Sequence, residues 1–259
     1  MTDTPVTLTR KGGVAQLRFN RPLQLNAVNL PTAHAFLACC REIAASPELR
    51  AVILSGAGDA FGAGGDLNEL KDDPPGAAPG LIGPVHEAVK LIARIDAPFI
   101  ASVHGVVAGG SLSLAMACDL VIAAEGTKFN LAYVKIGTTC DGSASWSLPR
   151  LVGTRNAMAI ALLGDSFDAA EAHRLGMVNQ VVPLAALADT SQAIAQRLAS
   201  GPTLAIGRMK RLIRGSFEHD LDTQLDLEQE AFVANADSED FRGAIHAFLN
   251  KRKPQFNGR

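Results

Sequence analysis

At 259 residues the chain is long enough for one large domain, or a domain with a small appendage, and it can bury a sizeable core. Hydrophobic residues make up 47% and charged residues 19%, which excludes a disordered chain. The formal net charge of −2, with no long basic block, argues against a nucleic-acid or anionic-membrane surface, and no apolar run reaches the ~18 residues of a transmembrane helix.

The opening stretch MTDTPVTLTRKGG has no apolar signal core, so a soluble cytoplasmic protein is expected. Residues 6–9 and 14–19 flank Lys11-Gly12-Gly13, and Ala15, Leu17 and Phe19 alternate with Gln16 and Arg18, the pattern of a hairpin with one buried face. Ala33, Phe36, Leu37 and Cys40 then recur at helical spacing. Residues 51–54 form a short continuous apolar run ending in Ser55-Gly56, as in a strand buried on both faces. The run Asp72-Asp73-Pro74-Pro75-Gly76-Ala77-Ala78-Pro79-Gly80 reads as a mobile surface loop, and residues 72–84 are expected to shape a substrate pocket. Val85, Ala88, Val89, Ile92 and Ile95 make a helical stripe. Residues 99–103 and 120–124 read as further buried strands, with an Ala/Leu-rich helix opening near Ser111 between them. Asp168 and Glu171 start a capped helix that Gly176 ends. From about residue 185 the pattern is helical, broken at Gly201-Pro202, with helices expected over 221–234 and 237–249. The expectation is an α/β core over residues 1–199 carrying any active site, followed by a helical region over 200–259. No internal repeat is visible.

Cys39, Cys40, Cys118 and Cys140 form no CxxC and no paired framework, so they read as reduced thiols. Gly56-Ala57-Gly58 follows a strand, but Phe61 occupies the third glycine position of a dinucleotide fingerprint. A GxxxxGK[ST] loop, a GxSxG elbow and a clustered histidine motif are all absent, and neither a metal nor a cofactor is expected.

Two glycine-rich turns remain, Ala60-Phe61-Gly62-Ala63-Gly64-Gly65-Asp66-Leu67 and His104-Gly105-Val106-Val107-Ala108-Gly109-Gly110-Ser111-Leu112. Each follows a buried strand, and the second opens a helix, whose free N–H groups favour negative charge. From spacing alone they are either tight turns or a pair of donors aimed at one developing oxyanion.

The segments AFGAGGDLNEL and HGVVAGGSLSLAMACDLVIA resemble the two oxyanion segments of the crotonase (enoyl-CoA hydratase/isomerase) superfamily. The resemblance continues through KFNLAYVKIG, LPRLVG and LLGDSFDAAEAHRLGMVNQVV, and runs from NRPLQLNAVN to FLNKRKPQFNGR. It implies a spiral of β-β-α turns with C-terminal helices that build a homotrimer or a dimer of trimers. It implies an acyl-CoA substrate whose enolate is held by the N–H groups of Gly65 and Gly110. Leu25, Ala27, Ala63, Asp66 and Leu67 match the strip along the coenzyme A moiety, and Gly109 belongs to the second turn.

The chain departs from the hydratase pattern. Ser113 and Tyr133 stand where the resemblance places the two hydratase glutamates, whereas Asp141 matches the aspartate that superfamily isomerases use as a proton shuttle. Asp141 could instead cap the helix that follows. The segments LDTQLDLEQE and FLNKRKPQFNGR are similar to isomerases of ring-epoxidised phenylacetyl-CoA. The run DGSASWSLPRLVG, with His86 and Tyr133, also resembles 4-chlorobenzoyl-CoA dehalogenases, in which the matching aspartate attacks the aromatic ring. His86 lies on an apolar stripe and is equally readable as a core histidine, and Tyr133 and Trp146 as core aromatics. The expected activity is isomerisation of an enoyl- or aryl-acyl-CoA, with dehalogenation, then hydration, then RNA binding by a vestigial homologue as the alternatives.

Overall fold

The computed structural model describes residues 4–258. Strands β1 (Val6–Lys11) and β2 (Val14–Phe19) pair antiparallel across Gly12 and Gly13, whose φ angles of 57° and 78° give the turn the twist a two-residue hairpin needs. From β2 onward the chain winds a repeating unit: a strand, a short extended stretch, then a helix. The first turn is β2, an extended strip near Val28, and helix α1 (Leu30–Ala44). The second is β3 (Ala51–Gly56), the strip 62–66, and α2 (Pro74–Arg94). The third is β4 (Phe99–Val103), β5 (Val106–Ala108) and α3 (Gly109–Ala117). The fourth is β6 (Leu120–Ala124), β7 (Lys128–Asn130) and α4 (Ala144–Leu163). Then follow β8 (Phe167–Asp168), α5 (Ala169–Arg174), β9 (Gln180–Val182) and α6 (Leu184–Ala199). The expected spiral of β-β-α turns is therefore present.

The long strands make a six-stranded sheet in the order β1-β2-β3-β4-β6-β9, parallel except for β1 with β2. The short stretches stack as β5-β7-β8, extended by single bridges between Gly62 and Val107 and between Val28 and Gly65. Val52 and Leu54 of β3 face one apolar cluster, shared with α1 and α2. Ala51 and Ile53 face a second cluster closed by Leu187, Ala195 and Ala199 of α6. Burial on both faces is why β3 reads as a continuous apolar run.

Of the expected loop over residues 72–80, residues 74–80 are instead the first part of α2. Asp73 caps the helix by accepting the Gly76 N–H at 3.1 Å, and Pro74 and Pro75 occupy first-turn positions, where a missing N–H costs nothing. Pro79 and Pro84 do remove helical donors, and packing against α1 outweighs that loss. Leu81, Ala88 and Ile92 are buried, and a Cβ on Gly80 would lie 3.3 Å from Leu30.

The chain ends in α7 (Thr203–Gly215), α8 (Leu221–Ala236) and α9 (Glu239–Leu249). Helix α7 is anchored by Lys210, whose ammonium donates to Ile92 O and Asp119 Oδ2, each at 3.0 Å, while Arg214 reaches Asp119 Oδ1 at 2.8 Å. Arg50, just before β3, donates to Thr203 Oγ1 and Phe256 O at 3.0 Å each, and to Gly201 O. Buried Asp240 accepts the N–H groups of Asn257 and Gly258 at 2.6 and 2.8 Å. Helix α8 buries no residue. Among the described residues, no helix is long and apolar enough to cross a membrane.

Candidate active site

The two glycine turns lie against each other at the starts of two consecutive helical elements. In the first, Val28 N–H donates to Gly64 O at 2.7 Å and Asp66 N–H to Val28 O at 2.8 Å. These bonds bracket Gly65, so its own N–H is turned away from Val28. In the second, Gly110 is the second residue of α3, where a backbone N–H has no acceptor within the helix. Gly64 has φ +98°, and a Cβ there would meet Ala108 O at 3.1 Å and Gly110 N at 3.3 Å. The close approach of the turns thus requires glycine at 64 for both reasons. Ser111 Oγ accepts the Gly64 N–H at 3.1 Å and ties the first turn to α3.

Asp141 is carried to this point by the connection between β7 and α4. That connection reverses through left-handed residues at Ala132 (φ 50°), Gly137 (φ 70°), Gly142 (φ 58°) and Ser143 (φ 78°). The alternative that Asp141 only caps α4 fails. The cap is Ser143 without a side-chain bond, and Asp141 contributes to the turn only through its backbone carbonyl, which accepts the Ala144 N–H at 3.1 Å. Its carboxylate faces the site. A Cβ on Gly110 would lie 3.7 Å from Asp141 Oδ1 and 3.6 Å from the Tyr133 hydroxyl.

Tyr133 donates its hydroxyl to Asp141 Oδ1 and has Ser113 Oγ at 3.3 Å. Burial, and then the negative charge of Asp141, push the Tyr133 hydroxyl well above its ordinary pKa, so it remains a protonated donor. Ser113 is fully buried, with its Cβ 2.9 Å from where a Cβ on Gly142 would stand. His86, on α2, accepts the Gly142 N–H on Nε2 at 3.1 Å, so that ring nitrogen carries no proton. The histidine is therefore joined to the Asp141 turn rather than simply packed in the core.

Gly65, Gly110 and Asp141 border one small cavity of about 40 Å³, closed by Val28, Leu81 and Val85. Leu81 and Ile82 of the cavity wall lie within residues 72–84, the span expected to shape a substrate pocket, but they do so from helix α2 rather than from a loop. A larger cavity of about 580 Å³ lies on the opposite face of the sheet beneath α6, bordered by Gln16, Arg18, Asp59 and His104. Asp141, Gly65 and Gly110 do not border it.

The positions that the resemblance assigns to the coenzyme A moiety lie in the first turn and in the segment beside it. Leu25 and Leu67 are 42% and 51% exposed, and the Ala63 N–H donates to Leu25 O at 2.9 Å. Arg21 braces the strip, donating to Ala27 O at 2.5 Å and pairing with Asp66 at 3.2 Å. Burial alone would raise the Asp66 carboxyl, but bonds from Asn68 and Arg21 outweigh it and hold the group below its usual value. Gly109 opens α3 at φ +49°. Trp146 points elsewhere and stacks under the Arg150 guanidinium, 4.0 Å from its ring centroid. Among the described residues no group of three His, Cys, Asp or Glu side chains could hold a metal ion.

The family model for enoyl-CoA hydratase/isomerase matches residues 9–259. The 1,2-epoxyphenylacetyl-CoA isomerase of Escherichia coli is 42% identical over 95% of this chain and 96% of its own. The short-chain-enoyl-CoA hydratase of Clostridium acetobutylicum is 35% identical over 96% of this chain and 95% of its own. The crystal structure of an enoyl-CoA hydratase from Bacillus anthracis superposes with a TM-score of 0.94 at 28% identity, covering 98% of this chain and all of that one. Fold, glycine turns and similarity over nearly the full length agree: the chain belongs to the enoyl-CoA hydratase/isomerase family of the crotonase superfamily.

Proposed function

We propose that the protein isomerises an enoyl- or aryl-acyl-CoA thioester, with Asp141 as acid/base and the N–H groups of Gly65 and Gly110 as the oxyanion hole. The observation that carries this reading is a single carboxylate at the end of two glycine turns, with serine and tyrosine at the positions where the resemblance puts the hydratase glutamates. The Asp141 carboxylate removes a proton from a carbon conjugated through the double bond or ring to the thioester. The C–H electron pair moves into the conjugated system, and negative charge settles on the thioester oxygen, where each N–H donor contributes about 3 kcal/mol. The carboxylic acid then returns the proton to a different carbon as the carbonyl re-forms, so atoms and electrons balance without a redox cofactor. The 42% identity to a relative that is itself named an acyl-CoA isomerase supports the same reading. Leu25, Ala27, Ala63, Asp66 and Leu67 would flank the coenzyme A portion.

A panel of aliphatic and aromatic acyl-CoA thioesters, assayed in parallel for double-bond shift, hydration and chloride release, tests the proposal. Double-bond shift is expected, and Asp141→Asn should reduce it by roughly 10²-fold or more, the scale of a lost general base, with thioester affinity little changed. Chloride release with an ester trapped on Asp141 would instead establish the nucleophilic mechanism. Brisk hydration that survives in Asp141→Asn would reject both.

A further inference from the structure

Tyr133 is the only tyrosine in the chain, and an unusual backbone aims it. Ala132, immediately before it, sits at φ 50° and ψ −13°, a conformation a residue with a Cβ adopts only when its surroundings impose it. Tyr133 then starts a short 3-10 helix, Tyr133–Ile136, whose last residues are exposed while the tyrosine ring turns inward. Its hydroxyl has two oxygens within reach, Asp141 Oδ1 and Ser113 Oγ, and one proton to give. An ionised carboxylate is the stronger acceptor, so the proton is directed to Asp141. With the phenol proton on Asp141, the one proton of Ser113 goes to the phenol oxygen at 3.3 Å or to Gly109 O at 3.4 Å.

We propose that Tyr133 is a positioning residue: its hydroxyl holds Oδ1 of Asp141, the oxygen nearer Gly110, and fixes the rotation of the carboxyl group that carries the proton from one carbon of the acyl group to another. The inference rests on the reading of Asp141 as the acid/base. A carboxylate without this restraint turns about its Cβ–Cγ bond and offers either oxygen to substrate or water. The restrained one presents its free lone pairs in a fixed direction. The proton it takes should therefore return to the substrate more often than it exchanges with solvent.

Tyr133→Phe removes one oxygen and keeps the ring. With the fastest thioester of the panel, deuterated at the carbon that loses its proton, the variant should show kcat lower by about tenfold, the usual scale for one charge-assisted hydrogen bond. KM should stay within about twofold, and the fraction of deuterium delivered to the product's new C–H bond should fall. Wild-type kcat and deuterium transfer in the variant would overturn the proposal. A second measurement needs no change at Tyr133. Because the tyrosine is unique, its ionisation can be followed alone by absorbance of the phenolate in wild type and in Asp141→Asn. Loss of the neighbouring negative charge should move the midpoint to lower pH, and identical midpoints would show that the two groups do not interact. If Asp141→Asn still isomerises, the acid/base reading itself fails. If it is inactive while Tyr133→Phe behaves as wild type, only the positioning role fails.

Discussion

Gly110 shows how far a single residue could be understood before its neighbours were known. The sequence marks it as a glycine at a helix start, which explains a free N–H but not why a side chain is excluded. In the fold, a Cβ at 110 would point at both the Tyr133 hydroxyl and Asp141 Oδ1, at 3.6 and 3.7 Å. These are ordinary contact distances, so Gly110→Ala should fold, whereas the branched side chain of Gly110→Val would fill the space between donor and carboxylate. Gly110→Val is expected to lose turnover by at least 10²-fold, comparable to the loss of an oxyanion donor, and wild-type rates in a steady-state assay would contradict that. The Tyr133–Asp141 bond was not legible at all. The two residues are joined through a chain reversal that passes left-handed Gly137, and no periodicity records which side chains such a reversal brings face to face. His86 is a similar case. Its helical stripe was visible, but its acceptor role toward Gly142 depends on a turn from another part of the chain.

At the scale of elements, what could be read was what buries apolar surface on a regular period. Strands β3, β4 and β6 are short apolar runs because they are covered on both faces. Helix α5 announced itself through Asp168, which accepts the Glu171 N–H at 2.9 Å. Strands β5, β7 and β8 span two or three residues each, too few for any period, and they are joined by backbone pairing and by the stacked rings of Phe129 and Phe167. For the same reason the four turns of the spiral leave no sequence repeat. What recurs is a pattern of N–H and C=O partners, which many side chains satisfy equally well. Helix α2 was hidden because proline and glycine act as breakers unless tertiary packing overrides them. Its helical state has two consequences of opposite sign. Asp73→Ala removes the cap and should lower stability by about 1 kcal/mol. Gly83 lies in the helix interior with open space where a Cβ would stand, so Gly83→Ala should raise stability by about 0.5–1 kcal/mol. Equilibrium denaturation of both variants checks this pair; a neutral Gly83→Ala would fit a loop better than a helix.

For the whole molecule, the helical end of the chain presents a surface that one copy does not cover. Helix α8 leaves Leu221, Leu225, Phe232 and Val233 more than half exposed, and α9 adds Phe248 and Leu249 at 81% and 74%. Contiguous apolar surface of this kind favours association, and light scattering at micromolar concentration is expected to give the mass of a trimer or of two trimers. A stable monomer would refute it. Arg50 has a further consequence, for the order in which the protein can be made. Its guanidinium sits at the entrance to β3 and needs the carbonyls of Gly201 and Phe256, the latter 206 positions away in the chain. During synthesis the early spiral emerges long before those acceptors exist. Contacts across such separations form late, because the intervening chain must first be ordered. A nascent chain stalled before residue 201 would therefore carry an arginine without its partners beside the strand that leads into the first glycine turn, and would complete its native hydrogen bonding there only after the C-terminal helices arrive.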